Sequence, residues 1–283
     1  MSLKLGATQR SAGLPGGPPN EDRTGFKAVP GAFYAWVIDG GTSPDPAMRT
    51  ADGTLAGAWL AEETSTALWA VTEAGGDLAA MLRGAVERVG AAWRTQGLGW
   101  PDWALPVGAV SLMRLRPDGD GLAAEGVHLA DCPVAVLSAA GEAIRPLHAW
   151  TPDGSDEARR LEDTEAAQAA MIDALKARRA RQQTERPFGL LTLDPDCADD
   201  AVISSTRLSA GDRLILASDG IARAWTEYAL VTPEESARRL RDAVGFEALL
   251  AEMRGFERDD YARRGDRMMK VGDDASAVIV ALD

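Results

Sequence analysis

Continuous and periodic runs of apolar residues divide the chain into predicted strands and helices. The run at 32–38 is apolar throughout, which is typical of a buried strand. Residues 53–73 and 77–95 instead carry apolar side chains at helical spacing, which predicts two amphipathic helices. Further strands are predicted at 24–29, 105–116, 122–129, 133–138, 143–148, 201–207, 212–218 and 276–282. Further helices are predicted at 155–183, 233–243 and 246–262.

The order of these elements indicates the fold class. Strands come in runs separated by pairs of helices, and they do not alternate with single helices as in a parallel sheet. We therefore predict an α+β fold in which antiparallel sheets are covered by helices. A domain boundary near residue 150 is conceivable, but strands on both sides can share one pair of sheets. We expect a single domain over 1–283, with a helical insertion at about 151–187.

The composition is that of a globular protein, and it argues against several classes of function. Apolar residues make up 46% of the chain and charged residues 26%. The formal charge of −13 repels phosphate backbones, so no nucleic-acid partner is expected. No segment approaches the roughly 18 apolar residues of a membrane span, and residues 1–19 lack the apolar core of a secretory signal. With two cysteines and no CxxC pair, a reducing, cytoplasmic setting without a membrane partner is predicted.

Acidic residues stand at the ends of several predicted strands. Asp39-Gly40 and Asp219-Gly220 each follow an apolar run, and Asp273-Asp274 precedes one. In antiparallel neighbours the end of one strand lies beside the start of the next, so these acids can meet at one edge of a sheet. Clustered carboxylates repel one another, and hard divalent cations relieve that repulsion through oxygen ligands. Taken singly, each Asp-Gly pair is more typical of a hairpin turn than of a metal site.

The ordered motifs resemble those of the PPM-type (type 2C) metal-dependent protein phosphatases, with this chain as a divergent, bacterial-like member. The motifs that carry the resemblance are Asn20-Glu21-Asp22, Val37-Ile38-Asp39-Gly40-Gly41, Leu129-Ala130-Asp131-Cys132, Leu214-Ile215-Leu216-Ala217-Ser218-Asp219-Gly220, and Asp273-Asp274 with Val278-Ile279-Val280. The resemblance spans residues 20–282. It implies a four-layer α-β-β-α sandwich, with two packed, mainly antiparallel sheets and a binuclear metal site at one end.

The resemblance also implies roles for individual residues. Asp39 would bridge two Mn²⁺ or Mg²⁺ ions, and the Gly40 carbonyl oxygen would bind one of them. Asp219 and Asp274 would complete the ligands of the other ion. These acids would act catalytically through metal-bound water, which would attack a phosphoserine or phosphothreonine of a protein or peptide substrate.

Three further acids would have lesser roles at the same site. Glu21 and Asp22 would act mainly through waters on the ions. Asp131 would correspond to an additional, weaker position for a third ion. Glu21 and Asp131 are thus the weaker candidates for metal binding, and Asp22 is a candidate ligand.

The substrate side of the pattern departs from the family. An Arg that binds phosphate is expected shortly before the acidic pair, but here the nearest cations are Arg10 and Arg23. Gly41 stands where many relatives have His or Met, and Ala275 stands where an Asn is usual. The Gly-Asp-Ser-Arg element has become Ala130-Asp131-Cys132-Pro133.

These departures leave two questions open. The basic segment 176–186 lies in the predicted insertion, so it could supply the missing phosphate-binding Arg or simply form the solvated face of a helix. The metal-binding acids favour an active metal-dependent phosphatase. The altered substrate-side residues favour the alternative, a catalytically weak or inactive regulatory or binding module on the same fold.

Overall fold

The computed structural model describes residues 4–141, 143–150, 168–264 and 271–283. Within these residues ten strands form two five-stranded sheets, and every strand pair is antiparallel. The strands are β1 (Leu5–Ala12), β2 (Asp22–Val29), β3 (Ala32–Gly40), β4 (Gly108–Asp118), β5 (Gly121–Leu129), β6 (Val134–Leu137), β7 (Ile144–His148), β8 (Val202–Leu208), β9 (Arg213–Ala217) and β10 (Ala275–Leu282). The first sheet has the order β1-β10-β9-β6-β7, and the second has the order β2-β3-β4-β5-β8.

Six α-helices are described, and all but the third cover the outer face of a sheet. They are α1 (Ala56–Val71), α2 (Leu78–Thr95), α3 (Gln168–Thr184), α4 (Asp219–Thr226), α5 (Pro233–Leu240) and α6 (Ala243–Arg264), with short 3-10 helices at Asp102–Ala104 and Pro195–Asp200. Helix α2 begins at an N-cap, Asp77, whose side chain accepts a hydrogen bond from the Ala80 backbone N–H at 3.0 Å.

Three apolar layers hold the sandwich together. Between the sheets, residues such as Val37 of β3 pack against Leu214 of β9 and Val278 of β10. Helices α1 and α2 bury their apolar faces on the second sheet, and α4, α5 and α6 bury theirs on the first. The predicted four-layer α-β-β-α architecture is therefore confirmed, with the sheets inside and the helices outside.

The structure adds two elements that the sequence pattern did not predict. Strand β1 pairs along its whole length with β10, although its sequence contains no apolar run. Helix α4 begins at Asp219, where the Asp-Gly pair predicts a turn. The predicted helix over 155–183 is observed from Gln168 onward as α3, and the rest of that prediction lies outside the described residues.

No helix in the described parts of the chain is both long enough and apolar enough to cross a lipid bilayer. Helix α3 instead lies along one end of the sandwich. Its Gln183 side chain donates to the backbone carbonyls of Leu105 and Pro106 at 3.2 and 3.3 Å, and Lys176 lies 4.4 Å above the ring of Trp103. These contacts hold α3 beside the strand ends that carry the acidic motifs.

Candidate metal centre

Strand pairing brings the acidic motifs of both sheets to one end of the sandwich. In the second sheet Asp22, the first residue of β2, is the register partner of Asp39 near the end of β3. In the first sheet β9 leads directly into Asp219, and Ala217 at its end pairs with Ala277 near the start of β10. The acids of the two sheets therefore face each other across the gap between the sheets.

A cleft of about 600 Å³ opens at this end of the molecule. Four carboxylates line it: Asp39, Asp131, Asp219 and Asp273. Three arginines also line it: Arg178, Arg179 and Arg223. The remaining lining residues are mostly small or apolar, from the segments that follow β3 and precede β4 and from helix α3. The four carboxylates are called the acidic floor of the cleft below, and the three arginines add positive charge beside it.

Asp39 lies at the centre of the acidic floor. Burial raises the pKa of the Asp39 carboxyl well above its usual value, and the negative charges of Asp219 and Asp22 raise it further. A negative charge on Asp39 is therefore unfavourable in the cleft without a cation. A divalent cation offsets this repulsion, so cation binding and ionisation of Asp39 support each other.

Asp22 lies directly beneath the cleft and is almost fully buried. Neither of its carboxylate oxygens makes a hydrogen bond of good geometry among the described residues, although the Ser218 and Ser276 hydroxyls lie close enough to lower its pKa. Burial raises the pKa of Asp22 well above its usual value; those two hydroxyls lower it in part, and Asp273 and Asp274 raise it. A buried carboxylate without donors is costly, and an ion or water would satisfy it.

The structure separates the two adjacent acids before β10. Asp273 lines the cleft, whereas Asp274 is buried and accepts a hydrogen bond from the Glu21 backbone N–H at 2.6 Å. The Asp274 N–H in turn donates to the Asp273 side chain at 3.0 Å. The cleft geometry therefore favours Asp273 over the predicted Asp274 as the acid that faces a cation, with Asp274 anchoring the loop that carries Glu21.

Glu21 and Gly40 lie behind the cleft wall. Glu21 is buried and accepts a hydrogen bond from the Thr42 hydroxyl at 2.9 Å, while its backbone carbonyl accepts from the Gly40 N–H at 3.1 Å. A side chain at Gly40 would collide with the carbonyl oxygen of Gly57, so only glycine permits this close approach of β3 and α1. Neither Glu21 nor Gly40 lines the cleft.

Asp131 reaches the cleft from the loop after β5. The preceding residue, Ala130, has a φ of 59°, which turns the loop toward the acidic floor. The crowded surroundings of Asp131 and the negative charge of Asp219 raise its pKa to about 6, although its side chain keeps contact with solvent. Asp131 therefore lines the same cleft as Asp39 and Asp219, and its predicted role at a third, weaker ion stays a prediction.

The two cations predicted to bind substrate do not line the cleft. Arg23 is held by Glu62 at 2.5 Å and donates to the carbonyls of Asn20 and Asp22, so it braces the acidic loop. Arg10 is on the edge strand β1 and donates to the neighbouring Gln9 carbonyl at 2.9 Å. Sequence proximity to the acidic pair suggested these two residues, and the strand geometry turns both away.

The arginines that do reach the cleft come from α3 and α4. Arg178 and Arg179 of α3 belong to the basic segment whose role the sequence left open. Arg223 of α4 pairs with Glu227 at 2.9 Å and with Asp273 at 3.7 Å. Burial lowers the pKa of Arg223, but Glu227 and other negative neighbours raise it on balance. Arg223 was missed because no motif marks it.

The donor set suits hard divalent cations. Among the residues that the structure describes, no group of three or more His, Cys, Asp or Glu side chains forms a ready-made metal site. The acids are nevertheless all oxygen donors, and Asp22 and one oxygen of Asp219 are buried without a hydrogen-bond partner in the described chain. Oxygen-only ligands are typical of Mg²⁺ and Mn²⁺ sites. The residues present therefore fit such ions.

Comparison with known proteins identifies the fold. No family profile matches the sequence, and no curated protein is significantly similar to it. Among solved structures, the serine/threonine phosphatase PstP/Ppp of Mycobacterium tuberculosis is 19% identical, with 99% of each chain covered and a TM-score of 0.55. The PstP catalytic domain in complex with two manganese ions is 17% identical, with 99% of each chain covered and a TM-score of 0.56.

A third similar structure gives the fold its usual name. The PP2C phosphatase domain of the cell fate determinant SpoIIE from Bacillus subtilis, solved with a fragment of its regulatory domain, is 15% identical, with a TM-score of 0.52. The alignment covers 99% of the present chain and 64% of that one. Two antiparallel five-stranded sheets between helices, matched over nearly the whole chain, show that this protein has the fold of the PP2C-type serine/threonine phosphatases.

Proposed function

We propose that this protein is a metal-dependent phosphatase that hydrolyses phosphoserine and phosphothreonine, or related phosphomonoesters. The observation that carries the proposal is the cleft itself, in which four carboxylates face three arginines at the end of a PP2C-type sandwich. Carboxylates can hold cations, and arginines can hold a phosphate.

Two Mn²⁺ or Mg²⁺ ions are the proposed cofactors, in line with the two manganese ions of the PstP complex. When bound, such ions activate water as a nucleophile and offset the negative charge of the phosphoryl oxygens. The acids proposed to hold them are Asp39, Asp219 and Asp22, together with the Gly40 carbonyl. Asp273 is proposed in place of Asp274, because Asp273 lines the cleft and Asp274 does not.

Asp131 is the proposed support for a third, weaker ion. It shares the cleft with Asp39 and Asp219, and its raised pKa of about 6 is consistent with an acid whose negative neighbours favour a bound cation. Glu21 would then contribute indirectly, since its carboxylate accepts the Thr42 hydroxyl and its backbone holds Gly40.

Arg223 is proposed to position Asp273. Its guanidinium lies between Glu227 and Asp273, and it lies 5.4 Å from the Tyr228 ring centroid. A cation held on three sides cannot swing freely, so it fixes the direction in which Asp273 points. Asp273 is thus kept at the cleft by the cation.

A phosphorylated protein or peptide in the cytoplasm is the proposed substrate. The open cleft lies at the surface, so a phosphorylated side chain can enter it without unfolding of its own backbone. Both cysteines, Cys132 and Cys197, are buried and unpaired, which supports a reducing compartment.

Hydrolysis of an aryl phosphate and of a phosphothreonine peptide, each with Mn²⁺, with Mg²⁺ and with excess chelator, tests the proposal. We expect turnover with a divalent ion and none with chelator. Undiminished turnover in chelator would exclude a metal-dependent mechanism. A chain that binds Mn²⁺, measured by calorimetry, but hydrolyses neither substrate would instead be the non-catalytic module.

A further inference from the structure

One arginine of the cleft, Arg179, can take its position only because residue 41 is a glycine. Arg179 extends from α3 across the cleft, and its Nη2 donates to the Thr42 carbonyl oxygen at 3.4 Å. A Cβ at Gly41 would lie 2.7 Å from Nη2 and 2.9 Å from Nη1 of Arg179. Any larger residue at position 41 would therefore displace the guanidinium. The guanidinium of Arg179 thus fills the space beside Gly41, and both residues line the cleft together with Asp39.

We infer that Arg179 binds the phosphoryl group of the substrate, in a space that Gly41 leaves open. The inference rests on the proposed function, because it places a phosphate in this cleft. Arg179 of α3 would then take the place of the phosphate-binding arginine that the sequence lacks before Glu21-Asp22. Gly41 would contribute to substrate binding by leaving room for Arg179.

Two of the other cations near the acids are already committed; Arg178 also lines the cleft, and its positive charge acts to lower the pKa of Asp131. Arg23 is tied to Glu62 and to two backbone carbonyls, and Arg223 lies between Glu227 and Asp273. The hydrogen bond that the structure describes for Arg179 is long, at 3.4 Å, and goes to a neutral carbonyl. A guanidinium presents five N–H donors in a planar fork that matches phosphate oxygens. Arg179 therefore keeps donors for a ligand.

The electrostatic surroundings keep Arg179 charged and directed at the cleft. Burial and the neighbouring Arg178 lower the pKa of Arg179 to about 10, while Glu21, Asp39 and Asp131 raise it. It is thus a cation at any physiological pH. Once divalent ions neutralise these acids, the guanidinium and the ions together form a positive wall, which a phosphate dianion would complement.

A competing explanation is that Arg179 only neutralises the acids of the metal-free protein. Under that explanation its removal leaves phosphate affinity unchanged and tightens Mn²⁺ binding, since a competing positive charge is lost. Under our inference its removal weakens phosphate binding to the Mn²⁺-loaded protein. Phosphate affinity therefore separates the two explanations.

The test is calorimetric titration of inorganic phosphate into the full chain loaded with Mn²⁺. We expect Arg179→Ala to weaken phosphate binding about 10- to 100-fold, as for the loss of charge-assisted hydrogen bonds. Arg179→Lys should recover only part of this loss, because a lysine lacks the fork. Arg181→Ala, which removes an exposed cation from the same helix, should change the affinity less than about twofold. Affinity within twofold of wild type in Arg179→Ala, or no phosphate binding by wild type, would overturn the inference.

Gly41→Ala tests the shared space through a double-mutant cycle. Alone, it should weaken phosphate binding, because the new methyl group displaces the guanidinium; with Arg179→Ala already present, it should cost little more. Equal losses in both backgrounds would show that Gly41 does not act through Arg179. Aryl phosphate hydrolysis measured in parallel separates this inference from the proposed function. A wild-type chain that binds phosphate through Arg179 but hydrolyses nothing contradicts only the proposed function.

Discussion

Gly220 is the residue at which a single methyl group should do most damage to the acidic floor. It is the second residue of α4, directly after Asp219. A Cβ at this position would lie far inside the 3.0 Å that real Cβ atoms keep from the backbone carbonyl oxygen of Asp274. Neither partner is a flexible side chain, so α4 and the start of β10 would have to separate by more than an ångström.

The cost of Gly220→Ala can be judged from this contact. Overpacking of a core by one or two carbons costs about 1–3 kcal/mol when side chains can adjust. Here two backbone segments must move, so we expect the free energy of unfolding to fall by about 3 kcal/mol or more. Gly255→Ala is the matched control, since Gly255 lies within α6 and a Cβ there meets no atom within 4 Å. That control should gain about 0.5–1 kcal/mol from better helix propensity.

Urea unfolding, first in chelator and then with saturating Mn²⁺, measures both effects. The wild type should gain about 2.7 kcal/mol when Mn²⁺ is present at 100 times its Kd. Gly220→Ala should gain much less, because it moves Asp219 away from Asp273. If Gly220→Ala unfolded at the wild-type midpoint and responded normally to Mn²⁺, the close packing of α4 on β10 would not hold the acids in place.

Three further substitutions test other parts of the structure. His128 is fully buried, and burial followed by the charge of its stacked neighbour lowers its pKa to about 3. From pH 6.5 downward the unfolded chain therefore takes up a proton that the folded chain refuses, so His128 should lower the free energy of unfolding by about 2 kcal/mol at pH 5 relative to pH 8. The raised pKa values of the cleft acids act in the opposite direction, so this contribution is measured in chelator by urea unfolding as the difference in pH dependence between wild type and His128→Gln, and the same pH dependence in both would contradict it. Asp39→Asn should raise metal-free stability, because it removes a buried negative charge, and should abolish both the Mn²⁺-induced stabilisation and hydrolysis; a normal response to Mn²⁺ would contradict this role. Glu257→Gln leaves the buried Arg254 without its charged partner at 2.7 Å and should lower the free energy of unfolding in urea by about 3–5 kcal/mol. Glu252→Gln, which breaks a half-exposed pair, should lower it by less than about 1 kcal/mol. Equal losses would refute the importance of burial.

The architecture could be predicted because its signals are local. The apolar run at 32–38 is buried as β3, and the acid that follows it lies at the strand end, as the pattern indicated. Antiparallel pairing then decides which strand ends meet. The order of the elements, with runs of strands separated by pairs of helices, left few alternative fold classes. The predicted fold and the convergence of Asp39 with Asp219 both follow from these local signals.

Elements without such a signal were missed. Strand β1 carries polar and small residues on both faces, and it is a strand only because β10 offers a free edge to pair with. Helix α4 has eight residues, and its start coincides with an Asp-Gly pair that also fits a turn. In both cases tertiary contacts decide between local alternatives of similar free energy.

The choice between Asp273 and Asp274 lies beyond what a sequence pattern can resolve. Successive residues of an extended chain point in opposite directions, so one of two adjacent acids faces the cleft and the other faces away. A shift of one residue in the alignment of the motif exchanges their roles. The contact that decides the matter is the hydrogen bond from the Glu21 N–H to Asp274, whose partners are 253 residues apart in the chain.

Contacts between distant parts of the chain also explain why Arg179 could not be singled out from the sequence. A search near the acidic pair finds Arg23, which the strand turns toward Glu62. Arg179 is 137 residues from Thr42 and belongs to a helix whose composition is equally typical of a solvated surface. The signal that could have suggested it is Gly41, because a glycine after Asp39-Gly40 leaves a space that another side chain can occupy. Carboxylates at strand ends are fixed by the sandwich, whereas a cation on an inserted helix can be replaced without rebuilding the sheets. Under the proposed function, substrate specificity on this fold could therefore change through the insertion while the acids of the cleft stay in place.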